Sequence, residues 1–206
     1  LFRYRSLHPR TQMIFDCTAV ILIGGDSRRM GQDKASLVLG ERSLLQHVTS
    51  IVQPLFGEVI ISVRQPRAEI AFPQVCDDPA HRGPLAGLVA GLQSAKTPWV
   101  FVLACDMPFI EQAVIERLGR FRDGYQAVVP MVQGYPQPLV AFYAVSCADS
   151  VLECLNGDGK HSLRELLDKL QVRYVSEGEL LIAGLQSRSF VDLDTPEEAA
   201  MVMRKL

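Results

Sequence analysis

Apolar residues fall in short unbroken runs, separated by stretches where they recur every three or four positions, and this alternation organises the chain. Cys17 to Ile23 predicts a first strand. Leu44, Leu45, Val48, Ile51 and Val52 keep helical spacing and predict a helix ending near Pro54. Val59 to Val63 and the shorter Phe72 to Cys76 read as strands, and Pro84 to Leu92 as a helix with proline in its first turn. Trp99 to Ala104 is the most strand-like run. A helix over about Ile110 to Arg120 follows, then a strand at Ala127 to Pro130, a loop at Gly134 to Pro138 and a strand at Leu139 to Val145. Helices near Cys147 to Leu155 and Ser162 to Leu170, a strand at Val172 to Val175, and a last helix capped by Thr195 complete the pattern.

Strands that are apolar throughout, rather than at every second position, belong to a sheet buried on both faces. The expected fold is therefore α/β: a Rossmann-like, mostly parallel sheet flanked by helices on both faces. Ligands of such sheets sit beyond the carboxyl ends of the strands. Three segments are thereby expected on one rim: Gly24 to Lys34, Asp77-Asp78, and Asp106.

The first of these carries the most specific chemistry. Gly24 and Gly25 leave backbone N–H groups open to a ligand with no Cβ in the way. Arg28, Arg29 and Lys34 add positive charge to the same loop. Bare backbone beside concentrated cationic donors suits a nucleoside triphosphate. Neither common phosphate loop fits. Gly31 is followed by Gln32 rather than by Lys-Ser/Thr, and Gly24 to Arg29 lacks the G-x-G-x-x-G spacing. Asp106, closing the Trp99 strand, is suited to hold Mg²⁺ with phosphate oxygens, and Asp192 or Asp194 offers a second carboxylate.

A chain of 206 residues with 48% hydrophobic residues suits one domain, expected over 16–206 after an N-terminal extension at 1–15. That extension lacks the apolar centre and cleavage site of a secretory signal. A formal charge of −2 gives no general attraction to nucleic acid or membranes, and no apolar run nears the roughly 20 residues of a membrane helix. Five scattered cysteines without a C-x-x-C pair point to reduced thiols and a cytoplasmic protein.

The string Ile23-Gly24-Gly25, Ser27, Arg29-Met30-Gly31, Asp33-Lys34 resembles the signature loop of the molybdenum cofactor guanylyltransferases. Asp77-Asp78, Gly83-Pro84-Leu85-Ala86-Gly87, Cys105-Asp106-Met107-Pro108, Gln137-Pro138-Leu139, Ser162 to Leu167 and Asp194-Thr195-Pro196-Glu197 resemble its later motifs in order. The resemblance implies a nucleotidyltransferase that uses GTP, molybdopterin and Mg²⁺, makes molybdopterin guanine dinucleotide and pyrophosphate, and hands its product towards other molybdenum cofactor enzymes and acceptor apoenzymes. It implies nucleotide contacts at Leu22, Ile23, Gly24, Gly25, Arg28, Lys34, Ser62, Asp78 and Asp106, with catalytic roles for Arg29, Lys34 and Asp106. Gly83, Pro84, Leu85, Gln137 and Pro138 are candidates for the pterin side. Where many members have Leu-Ala-Gly-Gly this chain has Leu-Ile-Gly-Gly, and Ser62 stands where some carry Asn. Two alternatives remain: a cytidylyltransferase acting on molybdopterin or on a sugar or isoprenoid phosphate, and a noncatalytic nucleotide-binding module. The cytidylyltransferases tend to carry Ala at the position of Gly25, which favours a purine here.

Overall fold

The computed structural model describes residues 12–23, 34–157, 162–180 and 187–193. Strand β1 covers Ile14–Leu22 and starts three residues before the expected Cys17, inside the stretch set apart as an extension. A 3₁₀ turn at Lys34–Ser36 leads into a small hairpin, β2 (Val38–Leu39) and β3 (Arg42–Ser43), that the hydrophobic pattern did not announce. Helix α1 (Leu44–Val52) begins in a capping box: the Gln46 N–H donates to Ser43 Oγ at 3.2 Å, and the Ser43 N–H to Gln46 Oε1 at 2.8 Å. Then come β4 (Phe56–Val63), β5 (Gln74–Cys76), α2 (Pro84–Ser94), β6 (Trp99–Ala104) and α3 (Gln112–Gly119).

The second half holds β7 (Ala127–Val132), β8 (Tyr135–Pro136), β9 (Val140–Ala144), α4 (Ala148–Asn156), α5 (Leu163–Lys169), β10 (Val172–Ser176) and a short α6 (Glu177–Leu180). The helix expected from Thr195 lies outside the described residues.

Among the described residues the large sheet has the order β5-β4-β1-β6-β9-β7-β10, with β8 on β7. Pairs β5/β4, β4/β1, β1/β6 and β7/β10 are parallel, whereas β9 runs antiparallel to both β6 and β7. The loop expected at Gly134 to Pro138 is the cause. Gln133 and Gly134 take φ values of 49° and 81°, the left-handed pair a tight hairpin turn requires, so β8 folds back on β7. The returning chain then enters between β7 and β6.

Alternate residues of β1 feed two cores. Cys17, Ala19 and Ile21 pack with Val48 and Val52 of α1 and with Val114, Ile115 and Leu118 of α3. Val20 and Leu22 face Leu85, Leu88 and Leu92 of α2, in the core that also takes Val151 and Cys154 of α4 and Leu166 of α5. Both faces being covered accounts for the unbroken apolar runs. Helix α2 lies unusually close: a Cβ at Gly91 would stand 2.8 Å from Val20 Cγ1, and one at Gly87 would stand 3.0 Å from Leu22 Cδ2.

Candidate active site

In-register pairing makes β1, β4 and β6 end level, with Leu22 opposite both Ser62 and Ala104. The chain leaves β1 for β4 on one side and returns as β6 on the other, so this edge is the crevice where open α/β sheets take ligands. Two further bonds carry the alignment past the strands: Ile23 N–H to Ser62 O at 3.2 Å and Cys105 N–H to Leu22 O at 3.1 Å. Residues 24–33 follow directly in the chain, so Gly24, Gly25, Arg28 and Arg29 lie outside the described residues, as does the side chain of Lys34.

Asp106 stands one residue beyond this alignment and is half-buried. Its backbone carbonyl accepts the Leu193 N–H at 2.9 Å. Leu193 is itself buried with Leu39 and Leu44, which pins the 191–193 segment to the rim. The pairing brings Asp192 into Asp106's neighbourhood along the backbone; Asp192 is exposed, and Asp194 lies outside the described residues.

The remaining expected segment, Asp77-Asp78, is tied to β4 by side-chain contacts. Asp77 is only 4% exposed, and its Oδ1 accepts a hydrogen bond from Ser62 Oγ at 2.7 Å. Arg64 Nη1 lies 4.0 Å from the other carboxylate oxygen and also donates to the carbonyl of His81. Burial raises the Asp77 carboxyl above its ordinary value, with the Ser62 hydrogen bond and the Arg64 charge opposing. Its neighbour Asp78 is exposed and accepts the Ala80 N–H at 2.8 Å.

Of the residues expected to touch substrates, Ser62 is buried with its hydroxyl turned to Asp77, so the side chain supports a carboxylate rather than facing the rim. Leu85 is 1% exposed, and its side chain packs in the core beneath α2. Leu22 and Ile23 are buried as well. Gly83 keeps a place at the rim as the residue before α2, with a left-handed φ of 85° and Pro84 in the first turn. Gln137 and Pro138 arrive there through the antiparallel return: the Ala104 N–H donates to Leu139 O at 2.9 Å, and Tyr143 OH donates to Pro138 O at 2.8 Å. Asp77, Arg64 and Gly87 were not anticipated as a unit. The spacing of Gly87 and Gly91, four apart on one helix face, is the sequence signal of that close approach.

Cys17, Cys105, Cys147 and Cys154 are buried, and Cys76 is exposed. Burial pushes the Cys147 thiol up to about 12 and raises that of Cys17 further. No group of three His, Cys, Asp or Glu residues among those described is arranged to hold a metal, and no described helix is long and apolar enough to cross a membrane.

The MobA-like NTP transferase domain matches residues 19–174. A probable molybdenum cofactor guanylyltransferase of Pelotomaculum thermopropionicum is 34% identical over 187 residues, covering 90% of this chain and 91% of that protein. A molybdenum cofactor guanylyltransferase of Desulfosudis oleivorans is 34% identical over 185 residues, covering 88% and 91%. Among solved structures, the molybdopterin-guanine dinucleotide biosynthesis protein A of Archaeoglobus fulgidus superposes with a TM-score of 0.80 at 26% identity over 91% of this chain and 97% of that one. The 2-C-methyl-D-erythritol 4-phosphate cytidylyltransferase of Thermus thermophilus, at 15% identity, 90% and 96% coverage and a TM-score of 0.61, shares the fold. The mixed sheet, its level rim and the similarity along nearly the whole sequence agree: this nucleotidyltransferase chain belongs to the MobA-like NTP transferase family, alongside the molybdenum cofactor guanylyltransferases.

Proposed function

We propose that the protein transfers GMP from GTP to the terminal phosphate of molybdenum-bound molybdopterin, releasing pyrophosphate. The observation that carries this is the level ending of β1, β4 and β6, with Asp106 just past the Cys105–Leu22 bond and the 191–193 segment returning to it. One rim thus gathers the end of the strand that leads to Gly24-Gly25, a carboxylate and the approach to Gln137-Pro138. The names and extent of the matching relatives supply the substrates.

The attacking phosphate monoester is mostly ionised near neutrality, since its second pKa is about 6. Its oxygen bonds to the α-phosphorus as the bond from that phosphorus to the bridging oxygen breaks, and pyrophosphate leaves with the electron pair. No side chain has to remove a proton. The protein's task is to bring two anions together and hold them in line. Gly24 and Gly25 meet the base edge, Arg28 or Arg29 and Lys34 neutralise phosphates, and Asp78 faces the base or ribose.

The carboxylates fit a magnesium ion: Mg²⁺ takes one or two carboxylates and completes its shell with phosphate oxygens and water, so a preformed cage is not needed. Asp106, with Asp192 or Asp194, would hold it, and when bound it supplies charge compensation for the α-phosphate and the leaving pyrophosphate.

The test is pyrophosphate release and dinucleotide formation with molybdopterin and GTP, CTP or ATP, each with and without Mg²⁺. GTP- and Mg²⁺-dependent transfer is expected. Preference for CTP would overturn the base assignment, and binding without turnover would leave a noncatalytic module.

A further inference from the structure

Asp77 is a carboxylate in a place where stability alone would favour a neutral group. It is 4% exposed, and burial raises its pKa, so the folded chain holds the charge at a cost. An asparagine would accept the Ser62 hydroxyl proton equally well without that cost. What the charge adds is its hold on Arg64. Arg64 Nη1 sits 4.0 Å from Asp77 Oδ2 and at the same time donates to the carbonyl of His81. The guanidinium therefore bridges the end of β4 to the far side of the 77–83 segment. The near side is tied by Asp77 itself, whose N–H donates to Val63 O at 3.0 Å. Between these two anchors lies Asp78, which closes its own local turn by accepting the Ala80 N–H at 2.8 Å, while the His81 N–H donates to its carbonyl at 3.0 Å.

Helix α2 seals the arrangement from behind. A Cβ on Gly87 would stand 2.7 Å from Ser62 Oγ and 3.5 Å from Asp77 Oδ1, so only glycine leaves room for the pair. The segment then enters α2 through Gly83, whose φ of 85° fixes the direction of approach.

We propose that Asp77 is a positioning residue: with Ser62 and Arg64 it locks the 77–83 segment to the end of β4, so that Asp78 is preset for the nucleotide. This rests on the reading of the rim as a nucleotide site. Asp77 touches no substrate; it acts through Asp78 and the backbone around it. The clamp is built before ligand arrives, and loosening it weakens nucleotide binding more than it slows transfer from the bound state.

The experiment compares the wild-type chain with Asp77→Asn, Ser62→Ala and Arg64→Gln. GTP affinity is measured by titration, KM and kcat by pyrophosphate release, and Tm by thermal unfolding. Asp77→Asn is expected to bind GTP at least fivefold more weakly and to raise KM by the same factor, with kcat within threefold and Tm equal to or above wild type. A residue serving the fold alone would instead lower Tm and leave KM where it was. Ser62→Ala and Arg64→Gln should weaken GTP binding in the same direction, and they keep the test open if Asp77→Asn fails to fold. GTP affinity changed by less than fivefold in a folded Asp77→Asn overturns the proposal, as does wild-type affinity in both other variants. A wild-type chain that binds neither GTP, CTP nor ATP would overturn the nucleotide reading first, and this inference with it.

Discussion

Gly91→Ala tests the packing on which the rim depends, because helix propensity and geometry pull in opposite directions. Alanine in a helix interior is favoured over glycine by about 0.8–1.0 kcal/mol. The added methyl, however, would stand 2.8 and 3.0 Å from the two Cγ atoms of Val20 and 3.3 Å from its Cβ. Val20 is fully buried, paired in register with Ile60 on one side and Val102 on the other, and its branched side chain has little rotamer freedom. Rotating the side chain leaves the Cβ contact in place, so the helix itself has to shift. Overpacking of this kind costs about 1–3 kcal/mol, and the rigidity of Val20 places the cost towards the upper end. The net effect is a loss of roughly 1–2 kcal/mol, and with a Tm shift of about 2–4 °C per kcal/mol at this chain length, a fall of about 2–8 °C. Gly178→Ala is the matched control. It lies exposed in α6 with nothing within 4 Å of the new methyl, so its Tm should stay level or rise. Thermal unfolding followed by circular dichroism in one buffer reads both. A Gly91→Ala protein more stable than wild type would show that α2 does not lie against β1 as described.

Asp106→Asn should cut kcat by more than a hundredfold while changing Tm little, since removing a charged-group interaction of about 3 kcal/mol corresponds to that factor. Pyrophosphate release measures it, and turnover within tenfold of wild type would remove Asp106 from the chemistry. Lys34→Ala should slow the chemical step by several orders of magnitude in single-turnover experiments with saturating GTP; unimpaired transfer would end the electrostatic account of the loop. For Asp77 the sign of the pH dependence follows from its raised pKa. The folded chain binds the proton more tightly than the unfolded chain, so the contribution to stability is fully present below the ordinary value of 3.8 and is lost as pH rises through the folded value. Asp77→Asn abolishes that loss. Its Tm relative to wild type should therefore climb as pH is raised from about 4 towards neutrality, and a Tm difference constant with pH would contradict the assignment.

Most of the elements were legible because the two covered faces of the sheet leave a strong mark. Trp99–Ala104 and Leu44–Val52 end where their apolar patterns end. Residues outside that signal were harder to read. Ile14 and Phe15 belong to β1, but Phe15 is 79% exposed and Asp16 breaks the apolar run, so hydrophobicity alone starts the strand late. The hairpin of β2 and β3 has two residues a strand, too few to show a period. At the site, the sequence distinguished the positions next to strand ends but not the direction of each side chain. Asp77 and Asp78 are adjacent and alike in type, yet one is sealed under α2 and the other is open. Pairing of β5 with β4, which sets Ser62 opposite Val75, decides which of the two turns inward.

The reversed strand β9 has a consequence for how two substrates can share the rim. In an all-parallel sheet every strand would leave a βα loop at the carboxyl edge, and the neighbour of β6 would present whatever follows its own end. Here the β7–β8 hairpin turns the chain round, so the neighbour of β6 presents its beginning instead. Gln137 and Pro138 reach the edge as the entry to β9, fixed by the bonds from Ala104 N–H to Leu139 O and from Tyr143 OH to Pro138 O. Asp106, two residues past the end of β6, thus has the end of β1 on one side and this short polar entry on the other. With strands about 4.8 Å apart, each flank lies one strand spacing away. On the proposed reading, a triphosphate approaching from β1 and an acceptor phosphate approaching over β9 would come together beside the carboxylate between them, which is the proximity that phosphoryl transfer between two anions needs.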